Sequence, residues 1–255
     1  MRIAAVGDLH CGVGSAGALE PLFGAMCRAA DVLVLCGDLT DYGLPDEAQV
    51  LVRELRVASP APVIAVLGNH DFESGAADQV RGILEDAGVH VLDGGSYVVG
   101  GVGFAGVKGL GGGFGERALQ PWGEEVMKRL VHEAVGEALK LESALARLHT
   151  SVRVAVLHYS PIRGTVEGEP PEIFAFLGSS RLEEPLVRYS VTLALHGHAH
   201  RGSLEGRIRT GAPVYNVCLP LLRAAFPGEP PFRLIDLGEI PEVEPAAAPA
   251  AGVGR

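Results

Sequence analysis

Positive charge is scarce in this 255-residue chain, where 21 Lys and Arg face 31 Asp and Glu for a formal net charge of −10. Such a surface repels a phosphate backbone, so stable duplex nucleic-acid binding is not expected, although a local cation-rich site for an anion is still allowed. Cysteine is scarce too. Cys11, Cys27, Cys36 and Cys218 show neither C-x-x-C spacing nor a regular framework, which argues against a disulfide scaffold and a thiolate zinc site. No apolar run has the length of a membrane span. Ile3–Val6 stops at Gly7-Asp8, too soon for a signal-peptide core. A cytoplasmic chain with no membrane partner and unknown oligomeric state is the expectation.

Glycine (35) and proline (17) are plentiful, so short elements must be joined by many turns, while 47% hydrophobic residues suffice for a core. Arg2–Val6, Val32–Cys36 and Val63–Leu67 are brief aliphatic runs followed by turn signals and read as buried strands. Ala16–Ala30 and Pro45–Val57 carry apolar residues at helical spacing between them, which predicts βαβ units and a parallel sheet. Ser96–Val107 alternates around Gly100-Gly101 and predicts a hairpin. Gly109–Gly115 lacks the strand-then-helix frame of a phosphate-binding motif and reads as a flexible loop. Trp122–His149 predicts a long helix with Gly136 as a candidate break, and strands resume at Arg153–Leu157, Val191–Leu195, Pro213–Val217 and Phe232–Leu237. One domain over residues 1–238 and a disordered Pro/Ala-rich tail over 239–255 are expected.

The nine histidines are unevenly placed. His90, His132 and His149 lie in ordinary surroundings, but His10, His70, His158, His196, His198 and His200 all follow predicted strands. Open α/β sheets gather ligands at strand C-terminal ends. The carboxylates behave alike: Gly7-Asp8-Leu9-His10, Gly37-Asp38-Leu39-Thr40-Asp41 and Gly68-Asn69-His70-Asp71 each close a predicted strand. An isolated Gly-Asp would read as a turn or helix cap. In extended backbone, however, residues two apart point the same way, so Asp8 with His10, and His198 with His200, can hold one ion together. Oxygen and imidazole donors suit Mn²⁺ or Fe, and Zn²⁺ is compatible.

These segments, with the single His158 and Gly197-His198-Ala199-His200, stand in the order found in calcineurin-like metallophosphoesterases, which the chain resembles from Arg2 to about Val217. The resemblance implies an α/β fold of four layers, a two-sheet β-sandwich flanked by helices, with a dinuclear centre at its edge. It implies that Asp8, His10, Asp38 and His200 bind one divalent ion, and that Asp38, Asn69, His158 and His198 bind the second. Four ionic charges against two aspartates would leave a local positive excess that attracts phosphate. A water shared by the ions would then lose a proton and attack phosphorus. His70 resembles the family's non-ligand histidine, a proton donor to the leaving group, and Asp71 is expected to fix its tautomer.

Tyr42 departs from the family's phosphoprotein phosphatases, which place arginine there, and Asp71 stands where they have glutamate. Losing that clamp weakens the grip on a dianionic monoester. The expected substrate is therefore a small phosphodiester, such as a cyclic nucleotide or nucleotide-derived diester. A phosphomonoesterase, a single-strand nuclease and a non-enzymatic scaffold are the alternatives, and the completeness of the ligand set speaks against the scaffold. Arg163 and Arg201 are candidate phosphate contacts, His196 a candidate support for His198, and Cys11 an incidental neighbour. The irregular stretch Tyr159–Ser180 is a candidate wall for the diester's second substituent.

Overall fold

Aliphatic runs without a polar residue must be covered on both faces, and that requirement sets the layering. The computed structural model describes residues 1–58 and 60–239. Apart from Glu239, the expected tail lies outside the described residues. The first sheet contains β1 (Arg2–Val6), β2 (Val32–Cys36), β3 (Val63–Val66) and β4 (Val89–Val91), which run parallel. The second contains β5 (Gly95–Val99), β6 (Val102–Val107), β7 (Val152–Leu157), β8 (Leu193–His196), β9 (Glu205–Arg207) and β10 (Pro213–Asn216). Finally β11 (Arg233–Asp236) returns to pair antiparallel with β1. The orders are β11-β1-β2-β3-β4 and β5-β6-β7-β8-β10-β9.

The sheets pack face to face. Ile3, Val34, Ile64 and Val66 share one core with Phe104, Val154, Val156, Leu193 and Leu195. The helices α1 (Glu20–Ala29), α2 (Pro45–Leu55) and α3 (Ala77–Asp86) cover the outside of the first sheet. The outside of the second is covered by α4 (Glu125–Ala146), whose Leu141, Ala144 and Leu145 pack on Ala105, Val107 and Ala155. Three short helices complete the chain: α5 (Phe174–Leu177), α6 (Glu183–Arg188) and α7 (Leu219–Ala225). This is the four-layer α/β sandwich that the resemblance implied. Among the described residues no helix is long and apolar enough to cross a membrane.

Several local expectations change. The first helix begins at Glu20, not Ala16, because the Glu54 carboxylate gathers the N–H groups of Gly17 (2.6 Å), Leu19 (2.8 Å) and Glu20 (3.1 Å). Gly136 does not break α4; it costs about 1 kcal/mol against alanine, and the packed Leu141–Leu145 face outweighs that. Gly109–Gly115 is not a free loop. Gly112 and Gly113 donate to the carbonyls of Ala175 (2.7 Å) and Gly178 (2.9 Å), and a Cβ at Gly111 would fall on the Ala175 carbonyl.

Glu54 provides a test of how the helical layer is held. Burial pushes its carboxyl up, but the three N–H groups outweigh this and hold it below the ordinary glutamate value. A lowered folded pKa means that the contribution is complete above about pH 5 and is lost as pH falls through the folded value. Glu54→Gln should therefore cost about 1.5–3 kcal/mol in urea unfolding at pH 7, and the gap to wild type should narrow steadily toward pH 3.

Candidate metal centre

The C-terminal ends of β1, β2, β3, β7 and β8 meet at one edge of the sandwich, and the backbone turns sharply there. Five non-glycine residues among those described have positive φ, and four are Asp8 (58°), His10 (45°), Asp38 (48°) and His198 (69°). L-residues adopt this conformation at a cost that surrounding structure must hold in place. The holding contacts are main-chain hydrogen bonds between the first two loops, from Asp8 N–H to the Gly37 carbonyl (2.9 Å) and from His10 N–H to the Asp38 carbonyl (3.0 Å). The glycine before each ligand segment has a separate reason. A Cβ at Gly37 would fall on the His158 ring, at Gly68 on Asp38, and at Gly197 on the Asp8 carboxylate. The loops come this close because those Cβ atoms are missing.

Asp8 and Asp38 are each 1% exposed. Both Asp8 oxygens accept the His198 N–H (3.0 Å), and Oδ1 also meets His200 Nε2 at 3.1 Å. Asp38 Oδ1 accepts the His70 N–H (2.9 Å) and faces His158 Nε2 at 3.3 Å, while Oδ2 faces His10 Nε2 at 3.9 Å. The Asn69 carbonyl oxygen lies 2.9 Å from His158 Nε2, and the Cys36 carbonyl lies 2.9 Å from Nδ1. Rings of His158 and His198 approach to 4.8 Å, and those of His10 and His200 to 5.8 Å. All seven expected donors are thus brought to one edge. His70 joins them, its ring edge-on to His10 at 4.5 Å and its donor atom grouped with those of His10 and Asp38.

The electrostatics are those of a site that wants a cation. Burial pushes Asp38 up, yet the charge and hydrogen bond of His158 and the N–H of His70 outweigh it and hold the carboxyl well below its usual range. Burial pulls His158 down, but Asp38 reverses this and raises it to about 9. Burial lowers His198 to about 4, and the His158 charge adds to the effect. Two donor atoms are poorly served without an ion. His10 Nε2 is buried with no hydrogen-bond partner among the described residues, and His158 Nε2 faces two oxygens with at most one proton to share. An ion among oxygen and imidazole donors would satisfy all of these at once, so the donor set fits a divalent transition metal. Cys218 also lies within reach of Asp8 and His200. Burial, reinforced by the Asp8 charge, pushes its thiol far up.

Asp71 is placed otherwise than expected. It is fully buried and accepts from Leu39 N–H (3.2 Å), Thr40 N–H (2.8 Å), Thr40 Oγ1 (2.6 Å) and Gly68 N–H (2.7 Å), so it staples the second and third loops together. The His70 Nδ1 is held instead by the Asp41 carbonyl (2.7 Å), with the Glu73 carboxylate at 3.5 Å. Asp41 itself faces His10 Nδ1 at 3.5 Å. It belongs to a motif already singled out, but a carbonyl partner leaves no trace in residue type. Arg163 turns away to Glu167 (3.5 Å) and the Phe174 ring (5.6 Å). Arg201 contributes its main-chain N–H to Glu169 (2.7 Å). His196 is fully buried, with Nδ1 on the Gly197 carbonyl (2.7 Å) and Nε2 on Thr165 Oγ1 (2.8 Å), which ties the β7 loop to the segment bearing His198. Burial lowers it to about 4, so it is a neutral strut. Cys11 is buried beside α2. Sequence reasoning missed Lys108, at the end of β6, although the strand-end rule that found the histidines points to it as well.

Two α/β sheets with carboxylates and imidazoles converging on one edge define a metallophosphoesterase. A family model described as calcineurin-like phosphoesterase matches residues 1–202, and the chain belongs to that family. A curated relative from Rhodococcus erythropolis named as a probable cyclic nucleotide phosphodiesterase is 36% identical over 98 residues, 36% of this chain. The match spans about a third (32%) of that relative's length. Among solved structures, a phosphopantetheinyl hydrolase from Mycobacterium tuberculosis superposes with a TM-score of 0.66 at 18% identity, covering 92% of this chain and 95% of that one. A hypothetical protein from Thermus thermophilus gives 0.52 at 17%, covering 91% and 88%. At these identities the structural likeness is one of fold.

The close approach of Gly68 to Asp38 is directly testable. Gly68→Ala should destabilise by about 1–3 kcal/mol through overpacking. Gly82→Ala, in α3 with no atom near its missing Cβ, should instead stabilise by about 0.5–1 kcal/mol. Denaturant unfolding of both variants reads the difference.

Proposed function

We propose that this chain is a dinuclear metal-dependent phosphodiesterase for small nucleotide-type esters, with Asp38 shared between the two ions. Asp8, His10 and His200 complete one donor set, and Asn69, His158 and His198 complete the other. The observation that carries this reading is the orientation of Asp38, which turns Oδ2 toward His10 and Oδ1 toward His158. One carboxylate offers an oxygen to each set. Two divalent ions, when bound, supply Lewis-acid charge for the phosphoryl oxygens and a water acidic enough to attack near neutral pH. The oxygen share favours Mn²⁺ or Fe, and Zn²⁺ is compatible.

The chain's own residues prepare the donors and manage the leaving group. The Cys36 carbonyl keeps a proton on His158 Nδ1, so an ion that displaced the Nε2 proton would meet a lone pair turned to the centre. The Asp41 carbonyl does the same for His70, and the Glu73 carboxylate stands 3.5 Å from the same Nδ1. His70 Nε2 can then hold a proton and release it to the leaving oxygen. Diester preference is supported by Tyr42, exposed where protein phosphatases of the family place a guanidinium, and by the name of the Rhodococcus relative.

In chelator-treated protein, added Mn²⁺ or Zn²⁺ should raise Tm in a concentration-dependent way, and Asp38→Asn should lose most of that rise together with turnover. His70→Ala should keep the rise and lower kcat by roughly 10²–10⁴-fold, with a smaller loss for a nitrophenolate leaving group. If the metal response disappears with His70, that residue is a ligand. Under any one metal, kcat/KM for bis(nitrophenyl) phosphate should exceed that for nitrophenyl phosphate; the reverse order makes the chain a phosphomonoesterase.

A further inference from the structure

Lys108 follows β6 as His158 follows β7, one strand to the side on the same edge. Its carbonyl accepts the N–H groups of His158 (3.1 Å) and Tyr159 (3.0 Å), which ties it to the metal-centre loop. Its ammonium donates to the adjacent Gly109 carbonyl (2.8 Å) and lies 5.4 Å from the Phe72 ring centre and 5.3 Å from that of Tyr159. Both rings belong to the site's own loops. Phe72 follows His70-Asp71 and is 42% exposed, and the Tyr159 ring lies 4.4 Å from that of His198.

Beside Phe72 and Lys108 opens a cavity of about 350 Å³, within the size range of small-ligand sites. Larger hollows exist elsewhere; one of about 590 Å³, lined by Val52, Arg56 and Ile83, lies at the opposite ends of the strands, away from the chemistry. The floor of the smaller cavity is apolar, formed by Leu67, Leu92 and Leu110. Its wall offers both donors and acceptors. Lys108 and the buried Nε of Arg81, which has no partner among the described residues, stand among the carboxylates of Glu133 and Glu137. Asp93 is answered by Arg81 and Lys140 (3.1 Å each), and Glu137 by Lys140 and the Gly109 N–H (2.8 Å each). A second phosphate would face Glu133 and Glu137 and gain little there. A neutral planar group with apolar faces and a donor–acceptor edge meets every wall with its complement.

We propose that this cavity is a nucleobase subsite, which takes the base of a nucleotide-type ester against the Phe72 face with Lys108 donating to its edge, while the phosphorus lies at the metal centre. Stacking on an exposed ring tolerates any base, and the polar edge contacts add selectivity. The inference rests on the phosphodiesterase reading and names its substituent. It adds a second wall on the β3–β6 side to the 159–180 segment, which reaches the site through the Phe176 carbonyl, 3.2 Å from His198 Nε2.

Adenosine has no phosphoryl group, so its binding reads the cavity without the chemistry. Calorimetric titration of the full chain after chelation should find saturable binding of one adenosine, weakened at least tenfold by Phe72→Ala and by Lys108→Met, which keeps the buried stem. In the metal-loaded protein, the ratio of kcat/KM for the nitrophenyl ester of adenosine 5′-phosphate to that for methyl nitrophenyl phosphate should fall at least fivefold in both variants. Absent adenosine binding, or binding that neither variant weakens, overturns the subsite even if methyl nitrophenyl phosphate is hydrolysed. If neither ester is hydrolysed with any metal, the phosphodiesterase reading fails, and the adenosine titration still decides the cavity.

Discussion

Two carboxylates buried side by side repel each other, and that repulsion organises the rest of the site. Burial pushes both Asp8 and Asp38 up, and the Asp38 charge pushes Asp8 further. Neither would remain ionised without compensation. The compensation comes from every loop at the edge: the His198 N–H on Asp8, the His70 N–H on Asp38, and the imidazoles of His158 and His200. Left-handed backbone at four of these positions and the missing Cβ atoms at Gly37, Gly68 and Gly197 follow from packing so many donors around two anions. The same crowd of lone pairs is a donor set that fits a divalent metal. Local strain and function are one arrangement here.

Much of the fold and the composition of the candidate site were legible in the chain. β1 and β2 match the aliphatic runs Arg2–Val6 and Val32–Cys36 residue for residue, because a strand buried on both faces shows itself as an unbroken apolar run. α3, β4 and β9 left weaker traces. α3 buries only Ala77, Val80 and Leu84, and β9 pairs through main-chain bonds with its outer residues exposed. The pairing of sheets into a sandwich came from the family resemblance and not from periodicity, since periodicity describes one element at a time. Donor residues were found through their spacing after strands. Their orienting partners were not, because Cys36, Asp41 and Phe176 act through carbonyls that every residue possesses. Asp71 shows the opposite failure, an acidic residue beside a catalytic candidate that serves three loop amides and a threonine hydroxyl instead.

The polar strut of His196, Thr165 and Ser160 has no place in the chemistry, yet it decides where His198 stands. Its hydroxyls lie 2.8 Å apart in a region with no solvent access, and Asn216 continues it by donating to the Ala199 carbonyl at 2.7 Å. A buried network with each member partnered holds one geometry better than apolar packing of similar volume.

Asp8 and His198 stand 190 positions apart along the chain, yet their hydrogen bond is part of the site's innermost framework. Closing so long a loop is entropically expensive and returns little until both sheets have formed and docked. The donor set is therefore complete only when the segment after β8 has docked beside the loop after β1. A copy that stopped before His198 would keep both buried aspartates but lose the main-chain and imidazole donors that His198 and His200 bring to Asp8.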